Sequence, residues 1–338
     1  MEHGKIITIL ILAYKRKEFI QEAMESAINQ SYPRDKYEVI CSVGFHDEQL
    51  SSFMIANGIK EIYCDGTMGE SLVKGLKASS GQLVAFLEDD DAFERDKLEK
   101  IVSVFDRYPD CVYYHNNVSL ISVSSSTLLQ IPDPYNKQIT RSFIWYPIRK
   151  YRKILRQRGD FNMSSITVNR EALLRYIDIL SQISTSSDSI IFFLLIQFKL
   201  PFYFDKNQTT KYRVHDSETN AVSHEKDASK AMKVSLRFYN SRKRAYDGIE
   251  SRRVQRTFLG YVLDSKVGCY IAGCKNLKPT YKERVQLLVL GLTEPSRFYL
   301  RLWMASFIYE LFPKFVINIR GSRERRRYSK LNSNGKRR

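Results

Sequence analysis

Four consecutive carboxylates, Glu88 to Asp91, follow an apolar run that is typical of a buried strand, Gln82 to Leu87. Adjacent carboxylates repel one another, and a cation or solvent must relieve that repulsion. Mg²⁺ and Mn²⁺ favour carboxylates together with phosphate oxygens and water, so the run predicts a metal and diphosphate site. The alternative is a set of acids at the start of the helix DKLEKIVSVF, where they would favour the helix dipole. The strand-end position, and the absence of Lys and Arg between Glu88 and Arg95, favour the metal.

The first hundred residues alternate between strand and helix patterns, which is the scaffold such a run needs. The predicted strands are Lys5–Tyr14, Tyr37–Val43, Glu61–Cys64 and Gln82–Leu87. The predicted helices are Phe19–Ile28, Asp47–Ile55 and Met68–Ser79, with Asp47 as a cap and Gly58 as the turn after the second helix. Alternation of this kind is typical of βαβ units in a parallel sheet, where ligands bind beyond the carboxyl ends of the strands. We therefore expect an α/β fold with the acidic run at its ligand edge.

Composition bounds the classes of protein that are compatible with this chain. It has 338 residues, 43% of them hydrophobic, which argues against a disordered or collagen-like chain. No apolar run reaches the length of about 18–20 residues that a spanning helix needs, and the N-terminus lacks the order of features found in a signal peptide. The five cysteines have no CxxC spacing, which favours free thiols in a reducing, cytoplasmic setting.

Charge is distributed unevenly along the chain. Residues 1–140 have 14 basic and 21 acidic side chains, whereas residues 141–338 have 40 basic and 16 acidic ones, for a formal net charge of +17 overall. Basic clusters occur at Arg149–Arg158, Arg242–Arg256 and Arg320–Arg338. Any one cluster is compatible with a solvated helix face, but the three together favour an anionic partner surface.

Several segments, in order, are similar to one known family. They are the strand ITILILAY with its Ala-Tyr-x-Arg turn, the Asn-Gln-x-Tyr-Pro stretch before YEVI, the acidic segment GQLVAFLEDDDAF, the segment FNMSSITVNREAL and the stretch YRVHDSETN. Over about residues 5–220 the chain resembles the family-two glycosyltransferases with the GT-A fold. The resemblance implies a Rossmann-like, mostly parallel sheet flanked by helices, here with a C-terminal helical extension. It also implies inverting, metal-dependent transfer of a sugar from a nucleotide-diphosphate sugar to a glycan or lipid-linked acceptor.

The resemblance assigns the divalent metal, Mn²⁺ or Mg²⁺, to particular residues. Glu88 and Asp90 match the two acids of the family's DxD motif, with Asp89 between them. Because Glu88 is one methylene longer than the usual Asp, Asp89 and Asp91 are an alternative pair. His215 matches a position that adds an imidazole to the metal or diphosphate, and a surface loop histidine is the competing interpretation.

The catalytic base implied by the resemblance is Asp188. It follows a Ser/Thr run and precedes a strongly apolar helix, with Ser187 where the family often has Glu. Inversion needs one base to take the proton of the acceptor hydroxyl. The alternative role for Asp188 is a helix N-cap, worth about 1 kcal/mol to the fold.

Binding of the nucleotide sugar is implied for a wider set of residues, and here the chain departs from the family. The family's Asp-Asp-Gly-Ser is replaced by Val43–His46, so either Asp47 or backbone groups near Ala13 and Tyr14 hold the base. The Arg-Asn pair that the family has in its third helix is also missing. Leu72 and Val73 occupy those positions here, and Lys74 is the next residue. The implied nucleotide-sugar-binding residues are Ala13, Tyr14, Arg16, Asp47, Lys74, Glu88 and Asp89.

The C-terminal third changes to helical patterns from Ala228 onward. The segment Phe298–Ile319 predicts an in-plane helix at a membrane surface, followed by a disordered basic tail. Together with the need for cytosolic donor, this predicts a place on the inner face of a membrane. The alternative is that these helices pack on the catalytic domain. The residues expected at the lipid boundary are Phe298, Leu302, Trp303, Phe307 and Phe312.

The predicted organisation is a GT-A catalytic domain at 1–225, with its nucleotide-sugar half at 1–110 and its acceptor half at 111–225. A helical, membrane-surface region at 226–319 and a tail at 320–338 follow. Two other classes stay open: an inactive GT-A-like interaction module, and a nucleic-acid-binding protein that uses the basic C-terminal half. No recognisable binding motif accompanies the charge, so we expect no specific nucleic-acid partner.

Overall fold

The computed structural model describes residues 7–14, 16–128, 138–146, 154–155, 157–214, 228–293 and 298–311. The chain divides into two compact units, Met1–Val214 and His215–Arg338. Within the described ranges, no helix combines the length and the apolar character that crossing a bilayer requires.

The first unit contains a mixed sheet, one half of which is parallel. Its described strands are β1 (Ile7–Ala13), β2 (Tyr37–Val43), β3 (Ile59–Tyr63), β4 (Leu83–Glu88), β5 (Ala92–Phe93), β6 (Tyr113–Ile121), β7 (Phe143–Trp145), β8 (Ile166–Asn169) and β9 (Phe202–Arg213). Their order is β3-β2-β1-β4-β8-β6-β9-β5, and β7 pairs with β9. Strands β1 to β4 are mutually parallel, whereas β8 runs antiparallel to both of its neighbours, β4 and β6.

The helices of this unit connect the strands and cover the sheet. They are α1 (Ile20–Ile28), α2 (Glu48–Ala56), α3 (Met68–Ala78), α4 (Lys97–Arg107), α5 (Arg170–Leu174), α6 (Ile177–Leu180) and α7 (Ser187–Leu195). All seven residues of β1 are buried, as an unbroken aliphatic strand in the middle of a covered sheet requires. On α1, the spacing of Ile20, Ala23, Met24 and Ala27 gives the buried face that packs on the sheet.

The alternation predicted from the sequence is confirmed, with one shift. The third strand spans Ile59–Tyr63 rather than Glu61–Cys64. Gly58, at a φ of +62°, ends the turn after α2, so the strand begins at the next residue with the buried side chain of Ile59. Asp47 is the N-cap of α2, as predicted, and accepts a hydrogen bond from the backbone N–H of Leu50.

The second unit is helical. Its described helices are α8 (Ala228–Asp247), α9 (Arg252–Ile271), α10 (Tyr281–Thr293) and α11 (Phe298–Leu311). A small core of Leu263, Val267, Ile271 and Leu287 joins α9 to α10. Two of the residues expected at a lipid boundary, Leu302 and Trp303, instead pack against this core. They do so because α11 needs an apolar face toward its neighbours in the helical unit. Phe312 and the basic tail lie outside the described residues.

Candidate active site

The acidic run lies at the carboxyl end of β4, beside the end of β1, where Leu12 pairs with Glu88. After Glu88 the chain turns and enters the short strand β5, which pairs with β9. Helix α4 begins only at Lys97. The alternative of acids at a helix start is therefore wrong, because a turn and a strand separate Asp91 from the helix.

The four carboxylates of this acidic turn have different environments. Asp89 and Asp91 are buried, with exposed fractions of 3% and 1%, whereas Glu88 and Asp90 are partly exposed. Burial, reinforced by the neighbouring Asp90, raises the pKa of Asp91 to about 7. Burial likewise raises the pKa of Asp89 to about 7, against the opposing effect of the Arg16 guanidinium. Burial and the charges of Asp90 and Asp91 raise the pKa of Glu88 well above its usual range. A cation at the turn would relieve this repulsion.

Asp91 is held inside the protein by hydrogen bonds to both of its carboxylate oxygens. Its Oδ1 accepts from the backbone N–H of Arg213 at 2.9 Å, and its Oδ2 accepts from the side-chain amide of Asn162 at 3.0 Å. The hydroxyl of Ser164 also bonds to it. These contacts favour a structural role for Asp91, which leaves the partly exposed Glu88 and Asp90 as the better candidates for metal ligands.

Arg16 supplies a cation at the same turn. Its guanidinium pairs with Asp89 at 2.7 Å and with Asp90 at 2.6 Å. The backbone N–H of Tyr14 donates a further hydrogen bond to Asp89. The loop after β1 therefore contacts the acidic turn through both main chain and side chain. Three residues predicted from the sequence to bind the nucleotide sugar, Tyr14, Arg16 and Asp89, are brought together here.

Gly44 allows the loops after β1 and β2 to approach each other closely. Its N–H donates to the carbonyl of Ala13 at 2.9 Å, and a Cβ at this position would lie 2.4 Å from the carbonyl oxygen of Tyr14. Any side chain larger than hydrogen would force the two backbones apart. Gly44 lies in the stretch Val43–His46 that replaces the family's Asp-Asp-Gly-Ser. It therefore allows the backbone of Ala13 and Tyr14 to pack directly against the loop after β2.

Asp188 is the second residue of α7, and Asn162 links it to the acidic turn. Its Oδ2 accepts from the backbone N–H of Asn162 at 3.2 Å, and its Oδ1 accepts from the N–H of Ser189 at 2.7 Å. After burial and the charges of Asp90 and Asp91, the charge of Asp188 also helps to raise the pKa of Glu88. The N-cap position of α7 belongs to Ser186, at a φ of +61°. The alternative role for Asp188, helix N-cap, is therefore wrong.

Asn162 joins these two carboxylates and was not singled out in the sequence. Its φ is +67°, a region that Asn adopts more readily than most residues. Its Oδ1 accepts from the backbone N–H of Ser165 at 3.1 Å, which starts the short helix before β8. The signal available in the sequence was an Asn followed by Ser-Ser before an apolar run, which is a common turn pattern rather than a catalytic one.

Lys97 is a second residue that sequence reasoning missed. It is fully buried, and its ammonium donates to Asn116 Oδ1 at 2.9 Å, to the carbonyl of Ser164 at 2.7 Å and to Thr210 Oγ1 at 2.8 Å. Burial lowers the pKa of Lys97 well below its usual range, whereas the charge of Asp91 favours the protonated form. Ser164 in turn accepts from the backbone N–H of Glu88 at 3.0 Å. Lys97 and Glu88 thus both donate a hydrogen bond to Ser164, and through this residue Lys97 supports the acidic turn.

Arg213, within the Tyr-Arg-x-His stretch, is also buried. Its Nε donates to the carbonyl of Asp90 at 2.8 Å, and its guanidinium also reaches the carbonyl of Ser122 and the carboxylate of Glu22. The end of β9 is thereby fixed to the acidic turn. His215, two residues further on, lies outside the described residues.

The remaining predicted residues lie nearer the other edge of the sheet. Asp47 pairs with Lys17 at 2.8 Å and caps α2. Lys74, on α3, donates to the carbonyl of Tyr63 at the end of β3. Three strand spacings separate β3 from β4, or about 14 Å, which places the contact of Lys74 away from the acidic turn. Asp47, by contrast, contacts the loop after β1 that also contains Arg16.

Comparison with known proteins agrees with this architecture. The model of glycosyl transferase family 2 matches residues 8–174. A Bacillus subtilis (strain 168) protein described as a teichuronic acid biosynthesis glycosyltransferase, TuaG, is 25% identical over 128 residues, which are 36% of this chain and 50% of that protein. The chain thus spans about half of the length of this curated relative.

Among solved structures, the chain is similar to S. aureus TarS. The full TarS chain gives a TM-score of 0.53 at 14% identity, covering 86% of this chain and 50% of TarS. TarS 1–349 in complex with UDP-GlcNAc gives a TM-score of 0.54 at 10% identity, covering 90% and 91%. At this identity the likeness shows the fold. Residues 8–174 thus match glycosyl transferase family 2, and the first unit, with the sheet described above, has the GT-A fold.

Proposed function

We propose that the chain transfers a sugar, with inversion, from a nucleotide-diphosphate sugar to a glycan or lipid-linked acceptor. Glu88 and Asp90 hold a divalent metal at the diphosphate, and Asp188 is the general base. The observation that carries this proposal is the link between Asp188 and the acidic turn through Asn162, which donates its backbone N–H to Asp188 and its side-chain amide to Asp91. A donor held at the turn would present its sugar toward Asp188.

The donor set at the turn fits Mn²⁺ or Mg²⁺. No group of three His, Cys, Asp or Glu side chains forms a ready cation cage within the part of the chain that the structure describes. Mg²⁺, however, commonly binds through one or two carboxylates, with phosphate oxygens and water completing its shell. Glu88 and Asp90 are the two partly exposed acids of the turn. When bound, such a metal would stabilise the negative charge that develops on the departing nucleotide diphosphate.

The protein's own side chains have distinct roles in this proposal. Arg16 offers a second cation beside Asp89 and Asp90, within reach of phosphate oxygens bound there. Asp188 takes the proton of the acceptor hydroxyl as the new glycosidic bond forms. The N–H groups of Asn162 and Ser189 fix the orientation of its carboxylate.

The domain assignment and cellular location are part of the same proposal. Residues 1–225 catalyse transfer, with 1–110 binding the donor and 111–225 the acceptor, since the acidic turn and Asp188 fall in different halves. The second compact unit has 27 basic and 11 acidic side chains in its sequence, which supports a position at an anionic surface. Because nucleotide sugars are cytosolic, we propose a peripheral location on the inner face of a membrane.

A nucleotide-sugar screen tests the proposal. The full chain is incubated with UDP-, GDP- and dTDP-sugars, beginning with UDP-GlcNAc, with and without Mn²⁺, and thermal stability and release of nucleotide diphosphate are recorded. We expect one nucleotide class to raise the melting temperature in the presence of Mn²⁺ and to be slowly hydrolysed without acceptor. If no donor is bound or cleaved, the inactive interaction module is the better interpretation.

A further inference from the structure

The second unit exposes an apolar surface of which only Phe307 was expected from the sequence. On α10, Tyr281, Val285, Val289 and Leu292 are exposed by 82%, 41%, 51% and 72%. On the neighbouring helix α11, Met304, Phe307 and Leu311 are exposed by 45%, 40% and 74%. Both sets follow the spacing of one helix face. We call these seven residues the α10–α11 face.

The α10–α11 face lies opposite the face that each helix buries. On α10, Leu287 is fully buried in the core of the unit and Arg284 is 7% exposed. On α11, Leu302 and Trp303 pack against that core, and Ser306 is fully buried. A helix that is apolar on its outer as well as its inner side normally has a second apolar environment.

Charge around the α10–α11 face is one-sided. The acidic side chains of α10 and α11 are each neutralised, Glu283 by Lys266 at 2.7 Å and Glu310 by Lys278 at 3.1 Å and by Arg284. The basic residues Lys275, Lys282 and Arg301 are exposed on or beside the same helices. An apolar stripe flanked by exposed cations matches a surface with an apolar interior and anionic headgroups.

We propose that the α10–α11 face docks on an anionic phospholipid bilayer, with α10 lying in the plane of the interface. Its apolar residues would enter the headgroup and acyl boundary, while the flanking lysines and arginine contact lipid phosphates. This inference rests on the proposed function, since it names the surface that would hold the enzyme at the membrane. It keeps Phe307 from the lipid-facing set predicted from the sequence, whereas Leu302 and Trp303 pack against the core of the unit.

A second copy of the chain is a weaker candidate for this surface. Pairing two identical faces would bring two strongly basic units together, each with 27 basic and 11 acidic side chains. Like charges at the rim of an interface oppose association. The tail 320–338 is an equally poor cover, since it is almost entirely polar and basic. An anionic bilayer offers an apolar interior for the exposed apolar residues and anionic headgroups for the exposed cations.

Flotation of the full chain with vesicles tests the proposal. The vesicles contain equal parts of phosphatidylglycerol and phosphatidylcholine, and vesicles of phosphatidylcholine alone are the comparison. The test variant is Val285→Gln, Val289→Gln and Leu292→Gln together. The matched control is Ile55→Gln, Val123→Gln and Leu236→Gln, which removes three exposed apolar side chains elsewhere (78%, 52% and 37% exposed). We expect the vesicle-bound to free ratio to fall by about tenfold or more in the test variant and to stay unchanged in the control.

Three results would overturn the inference. They are a wild-type chain that does not float with anionic vesicles, a test variant that floats equally well, and a wild-type dimer in sedimentation that the test variant converts to a monomer without any vesicle binding. A second variant, Met304→Gln with Leu311→Gln, alters the same surface on α11. It replaces the first variant if the three α10 substitutions lower the melting temperature of the chain. Donor hydrolysis with Mn²⁺ is measured in every variant, so a failure of docking and a failure of the proposed enzyme are separate outcomes.

Discussion

Asp91 and Asp188 accept hydrogen bonds from one and the same residue. The side-chain amide of Asn162 donates to Asp91 at 3.0 Å, and its backbone N–H donates to Asp188 at 3.2 Å. Asp91 belongs to the acidic turn after β4, and Asp188 to the first turn of α7. Asn162 therefore fixes the separation between the proposed metal site and the proposed base.

Replacing Asn162 by Gly should weaken both stability and transfer. Glycine keeps the positive φ of +67° but removes the amide, leaving a buried oxygen of Asp91 without that partner. We expect a loss of about 1–3 kcal/mol in the free energy of unfolding, measured in urea. Lys199→Gly, at an exposed position with a φ of +57°, is the control and should be neutral or slightly stabilising. Equal losses in the two variants would contradict this role.

Asp188→Asn should separate binding from catalysis. The change is nearly isosteric, so we expect donor and metal binding to survive while transfer falls by about 10²–10⁴-fold. Asp178→Asn, an exposed acid in the first turn of α6, should transfer at the wild-type rate. Binding is measured by calorimetry with Mn²⁺ and the best donor. Loss of donor binding in Asp188→Asn would mark this residue as structural.

Arg16→Gln should affect the metal and the donor in opposite directions. The guanidinium of Arg16 pairs with the carboxylates of Asp89 and Asp90 and therefore competes with a metal ion for them. Without it, the donor-free chain should bind Mn²⁺ more tightly, by roughly tenfold. Donor affinity at saturating Mn²⁺ should fall, since a cation near the phosphates is lost. Lys17→Gln breaks the ion pair with Asp47 and serves as the neighbouring control. Unchanged Mn²⁺ affinity in calorimetric titration would argue against competition at the turn.

Lys97→Met should be one of the more destabilising substitutions in the first unit. It removes the donor for three buried acceptors, among them the carbonyl of Ser164. We expect a loss of about 2–4 kcal/mol in unfolding free energy. Lys100→Met, which breaks only a surface pair with Asp96, should change stability by less than about 0.5 kcal/mol. Denaturant unfolding compares the two, and similar midpoints would refute the supporting role of Lys97.

The contribution of His115 to stability should become more favourable as the pH rises from about 4 to 6.5, against the opposite trend of Asp89 and Asp91, whose pKa values burial raises to about 7. Burial lowers the pKa of His115 to about 4, below the ordinary value of 6.5, and Nε2 contacts the carbonyl of Phe161 at 2.9 Å. Between these values the unfolded chain binds a proton that the folded chain does not, so folding is favoured fully above pH 6.5 and less below it. The contribution is about 3 kcal/mol. The urea stability of the wild type relative to His115→Gln should therefore increase by about this amount from pH 4 to pH 6.5, whereas the stability relative to His46→Gln, at an exposed site, should stay constant.

The parallel half of the sheet could be predicted because strand patterns and amphipathic helix patterns alternate through the first hundred residues. The mixed half could not, since β8 has only four residues and its direction depends on the strands on either side. The family resemblance identified the order of motifs in this region but gave no register. The position of the acidic turn followed from the rule that ligand residues gather at the carboxyl ends of parallel strands.

The buried residues that support the acidic turn could not be predicted from the sequence. In the sequence, Lys97 is one of several charged residues in the helix DKLEKIVSVF, and only the folded chain surrounds it with Asn116, Ser164 and Thr210. Asp89 is buried whereas Asp90 is partly exposed, and a run of four adjacent acids in a sequence does not show which of them will be buried. Such roles arise from segments that are distant in the chain and meet only after folding.

Arg213 ties the end of β9 to the acidic turn by main chain and side chain together, through the carboxylate of Asp91 and the carbonyl of Asp90. Neither segment can open alone without exposing a buried guanidinium or a buried carboxylate. The two should consequently unfold as one cooperative unit in native-state hydrogen exchange. The amide proton of Arg213 is thus a spectroscopic reporter on the turn itself, and its exchange rate would register occupancy by a donor before any sugar is transferred.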